Sequence, residues 1–182
     1  MLEEKWRIVF SLLDVDKDGA ITKKDADFCK GQFVDMCPDA ERKLQVAHDL
    51  DRYWTAMVFF GEPVDWAQVV TMDQFVERFT EAFARDKAGT VARVADGVQH
   101  LLAAADIDGS GVFTFQKFFQ FHQAFNLAHD IVVRTTFNLI GPDADDTCPL
   151  ARVQEFYIEL FVGENQEKFE TLKNAYKAIG MI

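Results

Sequence analysis

Residues 14–25 read DVDKDGAITKKD, and no other stretch constrains the fold as tightly. Asp14, Asp16 and Asp18 alternate, so they can converge on one hard cation only if the chain turns sharply. Gly19, at the sixth position, permits that turn because it tolerates positive φ. Ala20 would offer its backbone carbonyl, and Thr22 its hydroxyl, directly or through water. Asp25, at the start of the next helix, would close the shell. Ligands that are all oxygen select Ca²⁺ or Mg²⁺ over zinc or copper. An Asx-rich surface turn has a similar composition. Here, however, helical apolar patterns flank the loop, ending in Phe10-Ser11-Leu12-Leu13 before it and resuming with Phe28 and Phe33 after it.

Helical periodicity dominates the rest of the chain. Ala47, Leu50, Trp54 and Met57 fall on one helix face, as do Phe75, Phe79 and Phe83. Val91, Val94, Val98, Leu101 and Ala105 form another stripe, and Phe118, Phe121 and Phe125 a further one, interrupted by His122. Ala128, Ile131 and Phe137, with Val132 and Val133, predict one more. Brief strand signals stand at 20–22, 69–71 and 112–114, each after a turn-rich segment and before a helical stripe. The pattern is helix, turn with short strand, helix, repeated about four times. The 18 phenylalanines therefore read as a helical core. The polar segment 84–90 is the expected joint between halves. In Glu164–Ile182, Phe169, Leu172, Tyr176 and Ile179 recur at helical spacing, which predicts a tail helix over an apolar groove between lobes.

Aligning the strands places three more loops. The second, 63–74, keeps only Asp65 as a charged ligand, with Pro63 first and Gln74 last; Val70 can still pair with Ile21. The third, 106–117, sets Asp106, Asp108, Ser110 and Gly111 well but ends in Lys117, which has no acceptor to offer. Either a weak, partly hydrated site survives at Asp106, Asp108 and Ser110 while Lys117 points away, or Lys117 folds inward and pairs with Asp106 and Asp108 in place of an ion. The balance favours loss of useful binding. The fourth, 141–152, ends in Arg152 and has Asp146 in place of the turn glycine, which predicts a degenerate, structural loop.

The run FSLLDVDKDGAIT resembles the first EF-hand of calmodulin-type proteins. The length, the four-unit layout, Asp25 at loop position twelve, and the segments around Phe75 and Phe137-Asn138 resemble the invertebrate sarcoplasmic calcium-binding proteins. That resemblance implies an all-α fold of four EF-hand units in two paired lobes, with a C-terminal tail packed back on them. The lobes would span 1–86 and 91–163, and the tail 164–182. It also implies intracellular Ca²⁺/Mg²⁺ buffering with some loops inactive. The strict pattern ends in Glu, whose bidentate grip builds a larger shell. Asp25 is one methylene shorter, so a mixed site that holds Mg²⁺ at rest is expected.

Composition excludes several functions. Nineteen Lys and Arg against 30 Asp and Glu give a net charge of −11, unsuited to a nucleic-acid partner. Cys29, Cys37 and Cys148 have no metal spacing and fit a reducing compartment. The acidic start Met1-Leu2-Glu3-Glu4 is unlike a secretory signal, and no apolar stretch approaches membrane-spanning length, so a cytoplasmic protein is expected. His48, His100, His122 and His129 share no ligand spacing, and no nucleophile or phosphate motif stands out, so no enzyme is expected. The leading expectation is a monomeric, buffer-like ion binder with one main site. The alternatives are a sensor that binds a protein partner, and a carrier of an apolar small molecule in a Phe-rich interior.

Overall fold

A computed structural model describes residues 2–61, 63–178 and 180. Among these, the chain forms α1 (Leu2–Leu13), β1 (Ala20–Ile21), α2 (Lys23–Asp35), α3 (Ala40–Val58), β2 (Val70–Thr71), α4 (Met72–Arg85), α5 (Lys87–Ala105), β3 (Val112–Thr114), α6 (Phe115–Gln123), α7 (Asp130–Ile140), β4 (Thr147–Pro149), α8 (Leu150–Val162) and α9 (Gln166–Ala178). The fold is all-α, with strands too short to form more than two pairs of linked loops.

The helices after the loops start where side-chain caps satisfy their first N–H groups. Thr22 caps α2 and Thr71 caps α4, each in a reciprocal box with the residue three positions on, Asp25 and Gln74. Thr114 caps α6 by accepting from the Lys117 amide, whereas Pro149 gives α8 no side-chain cap. The loop's twelfth residue is thus also the third residue of a helix. Gln74 keeps the capping role although it carries no charge for an ion.

Strand register fixes the loop alignment. Ile21 pairs with Val70, and Phe113 with Cys148, both antiparallel. Each is the eighth residue of its loop, so 14–25 pairs with 63–74 and 106–117 with 141–152 about a local two-fold. The predicted pairing of Val70 with Ile21 is the observed one.

The halves do not stand apart. Their buried apolar residues form one cluster running from Trp6 to Tyr176. Phe33 lies 6.2 Å from Phe121 and 6.1 Å from Phe125, and Tyr53 lies 6.3 Å from Phe125, so aromatic contacts join α2 and α3 to α6 and the residues just after it. α3 packs along α5, and Gly97 lets them approach closely: a Cβ there would stand 3.1 Å from that of Ala56. The expected joint at 84–90 contracts to one residue. Asp86 caps α5 by accepting from the Gly89 amide, and 87–90 are already helical.

Two predicted stripes shift. In α7 the buried face is Val132, Val133, Thr136, Phe137 and Ile140; Ile131 is 66% exposed and Ala128 precedes the helix. Phe28 is likewise exposed, while Phe33 is buried. Along the tail, Phe169, Leu172 and Tyr176 of α9 are buried as expected, and Ile179 lies outside the described residues. Lys5 ties the start of the tail to α1: its ammonium donates to the Glu159 and Gly163 carbonyls at the end of α8 (3.0 and 2.7 Å) and lies 5.4 Å from the Phe169 ring centre.

His122 is the buried histidine of this core. Its Nδ1–H donates to the Phe118 carbonyl (2.8 Å), which leaves Nε2 to accept from the Tyr157 hydroxyl (3.1 Å). Burial pushes its pKa down to about 4, against the opposing pull of the Phe118 carbonyl. The unfolded chain takes up this proton near pH 6.5 and the folded one only near 4. Stability from the neutral imidazole is therefore full above pH 6.5 and is lost as the pH falls from 6.5 to 4, by up to about 3 kcal/mol. Denaturant unfolding followed across that range should show a steeper acid decline in the parent than in His122→Gln. Parallel curves would refute the assignment.

Candidate metal centre

The first loop is drawn into a ring by its own backbone. Lys17 and Gly19 adopt φ of 60° and 91°. Nothing crowds a Cβ at Gly19, so the backbone angle, not space, calls for glycine there. The Asp14 carboxylate accepts from the amides of Asp18 (3.2 Å) and Gly19 (3.0 Å), Asp16 from Asp18 (3.3 Å), and Asp18 from Ala20 (3.0 Å). One carboxylate oxygen from each of Asp14, Asp16 and Asp18 lies within 4.8 Å of the others. Oxygens on opposite sides of a calcium ion, each at about 2.3–2.6 Å, span a similar distance. The donor set therefore fits a hard cation. Asp14 is buried while Asp16 and Asp18 face solvent, which gives a site with a fixed floor and an open rim. Burial raises the Asp14 pKa, the Gly19 amide opposes the rise, and the charges of Asp25 and Asp18 add to it.

Asp25 is 1% exposed and stands apart from that cluster. One oxygen accepts from the Val15 amide (2.8 Å) and the other from the Thr22 amide (2.8 Å) and hydroxyl (3.1 Å). It closes the loop by binding backbone at both ends. Ala20 sits half-buried at the start of β1, and Thr22 is engaged as the helix cap.

The third loop copies this scaffold. Asp106 accepts from the amides of Ser110 (3.2 Å) and Gly111 (2.9 Å), as Asp14 does from Asp18 and Gly19. Gly109 and Gly111 take the left-handed conformations that Lys17 and Gly19 take in the first loop. Here, however, Lys117 folds inward. Its ammonium lies 2.5 Å from Asp108, 2.8 Å from the Ser110 hydroxyl and 3.2 Å from the Val112 carbonyl. Of the two expected partners it takes Asp108 and not Asp106, whose carboxylate is engaged by the loop amides. The Lys117 contact holds the Asp108 carboxyl well below the usual carboxylate range.

In the fourth loop Arg152 does the same from the twelfth position, donating to the Gly141 carbonyl (2.5 Å) and Asp143 (3.1 Å). Asp146 takes the turn at φ 59° and pairs with Arg134 (2.8 Å). In the second loop Asp65 accepts from the Ala67 amide and the Gln68 side chain.

Two clamps escaped the sequence reading because they join distant segments. Asn126 donates to the Val15 carbonyl within the first loop (3.1 Å). Arg42 donates to the Ala103 and Asp106 carbonyls at the entry to the third (2.8 and 2.7 Å). Asn126 takes the left-handed conformation, φ 56°, which Asn tolerates.

No protein-family model matches the chain. It is 27% identical over 178 residues to the sarcoplasmic calcium-binding protein of Mizuhopecten yessoensis, covering 97% of this chain and 98% of the relative. Among solved structures it is similar to the coelenterazine-binding protein of Renilla muelleri in its calcium-loaded apo form, with TM-score 0.69, 17% identity, and 96% and 93% of the two chains covered. It is also similar to a calcium-binding protein of Streptomyces coelicolor, with TM-score 0.64, 17% identity, and 90% and 99% covered. The expectation of a non-enzymatic chain accords with these relatives, which are calcium- and coelenterazine-binding proteins. The chain shares the fold of these calcium-binding proteins, and along nearly its whole length it is similar to a sarcoplasmic calcium-binding protein.

Proposed function

We propose that the chain is a Ca²⁺- and Mg²⁺-binding protein of the buffer type, working as a cytoplasmic monomer with one main divalent site at 14–25. Asp14, Asp16, Asp18 and Asp25 supply carboxylates, Ala20 its carbonyl, and Thr22 a hydroxyl through water. The convergence of three carboxylates on one point within the first loop carries the reading. The third loop, with Asp106, Asp108 and Ser110 under Lys117, is the lost site of the second pair.

Three observations support a buffer over a sensor or a carrier. The apolar faces that a sensor would bare are packed between the halves, through Phe33, Tyr53, Phe121 and Phe125. The tail adds Phe169, Leu172 and Tyr176 to the same core. The void that α1, α3, α5, α6, α8 and α9 enclose, lined by Tyr53, Phe121, His122, Tyr157 and Tyr176 among others, measures about 30 Å³. That is room for about one water, far below the several hundred Å³ of a small-molecule site. Among the described residues, no helix is long and apolar enough to cross a membrane.

With both Asp25 oxygens already committed to backbone, this residue offers an ion at most a single-oxygen grip, which favours a smaller shell. Ca²⁺ should be titrated with and without millimolar Mg²⁺, in the presence of a dye that reports apolar surface. Mg²⁺ should weaken apparent Ca²⁺ affinity several-fold, and the dye should stay dim. Ca²⁺ binding indifferent to Mg²⁺ would remove the mixed-site reading, and strong brightening would make the protein a sensor.

A further inference from the structure

The second hand keeps one acid at a ligand position, Asp65, and two arginines of its helix α4 share a pocket with one from α5. Arg78, Glu81, Ala82 and Arg85 lie on one face of α4 and line a pocket of about 350 Å³. Arg93 of α5 forms the facing wall, and Phe59, Phe60 and Pro63 form an apolar edge. In a chain of net charge −11, three guanidinium groups here meet one carboxylate, Glu81, among the described lining residues. Among the described residues none of the three arginines forms a salt bridge. Arg78 is spent on the Val58 carbonyl and the Gln68 side chain, at 3.4 and 3.2 Å.

Arg93 is the group that points to a ligand. Its guanidinium lies 4.2 Å from the Phe60 ring centre and 5.8 Å from that of Phe79. Stacking of this kind fixes a guanidinium plane while leaving its N–H edges for other partners. Two of its nitrogens, Nε and Nη2, are buried without a hydrogen-bond partner. These are the adjacent pair that forms the parallel fork able to grip two oxygens of one oxyanion. Native interiors rarely leave such donors unmet. Burial, and after it the charge of Arg85, lowers the Arg93 pKa, a shift that an anion beside the guanidinium would offset.

We infer that this pocket binds a small organic phosphate monoester. Among the described lining residues, three guanidiniums against Glu81 leave two positive charges, which a phosphate dianion balances. The Arg93 fork takes two phosphate oxygens, the exposed Arg85 closes over the third, and the organic group lies on Phe59, Phe60 and Pro63. The pocket volume falls in the range of small-molecule sites. The pocket shares no lining residue with the loop at 14–25.

Calorimetric titration at constant ionic strength, with phenyl phosphate as probe, tests this directly. Saturable binding is expected, tighter than for inorganic phosphate or benzoate. Arg85→Ala alters an exposed residue and should keep the fold by circular dichroism. Arg93→Lys keeps the charge but removes the fork. Each should weaken phenyl phosphate by about tenfold or more, the cost of one charged hydrogen-bonding group. Absence of saturable binding, or affinity unchanged in both variants, would overturn the proposal. Inorganic phosphate binding as tightly as phenyl phosphate would overturn its organic part.

Discussion

Asp14→Asn should reduce the bound-ion count from one to none. Native mass spectrometry in Ca²⁺ and then in Mg²⁺ reads this directly. Asp14 is the buried member of the acidic cluster and the floor of the ring, accepting from both the Asp18 and Gly19 amides. Asparagine keeps an acceptor of nearly the same shape, so the turn survives, while one full charge beside a dication disappears. An affinity loss of at least about 1,000-fold, or about 4 kcal/mol, is expected. Asp14→Ala should do the same and also loosen the loop, which hydrogen exchange at Asp18 and Gly19 would register. If the parent holds one ion and Asp14→Asn holds it equally well, the site assignment fails.

Lys117→Glu should add an ion. The third loop already has its position-one carboxylate, its two left-handed glycines and its strand pairing in place. What fills it is the Lys117 ammonium, which reaches an acid, a hydroxyl and a carbonyl of the loop. Replacing that ammonium with a carboxylate changes the local charge by two units. It also supplies the longer side chain whose two oxygens complete a calcium shell in intact loops. Native mass spectrometry should then count two Ca²⁺, and the Asp14→Asn/Lys117→Glu double variant should keep one. Lys117→Met, which removes the cation without adding an acid, should bind the second ion far more weakly than Lys117→Glu. A stoichiometry of one in Lys117→Glu would show that the loop lacks more than its last ligand.

Lys117 and Arg152 make a common point about degenerate loops. Both occupy the twelfth position, and both turn back over loop oxygens. A tethered cation screens the remaining carboxylates and keeps the turn closed without an ion. The second loop takes a different course. Its Gln74 keeps the helix cap, and Asp65 is the one acid left at a ligand position. In each case the strand pair is retained, because Ile21 with Val70 and Phe113 with Cys148 link the loops whatever the ion content.

Much of this was legible in the sequence because it is local. The alternation of Asp14, Asp16 and Asp18, the glycine at the sixth position, and the Thr caps act within a dozen residues through backbone preference and side-chain reach. The four-loop alignment, the pairing of Val70 with Ile21 and the burial of the Phe stripes follow from the same rules. The inward fold of Lys117 was legible as one of two alternatives, but its choice of Asp108 over Asp106 was not. That choice depends on the Asp106 oxygens being already engaged by amides that only the closed loop presents.

What the tertiary structure alone decided is where distant helices converge. It merged the two expected lobes into one core, reduced their joint to Asp86, and seated His122 as a neutral group between Phe118 and Tyr157. It brought Asn126 to the Val15 carbonyl, Arg42 to the third loop, and Lys5 to the end of α8. It also set Arg93 across a pocket from Arg78 and Arg85. The reason is physical. Long polar side chains have no preference of their own among partners tens of residues away. Their contacts are fixed only when packing of the apolar faces has placed the backbone groups and charges they reach.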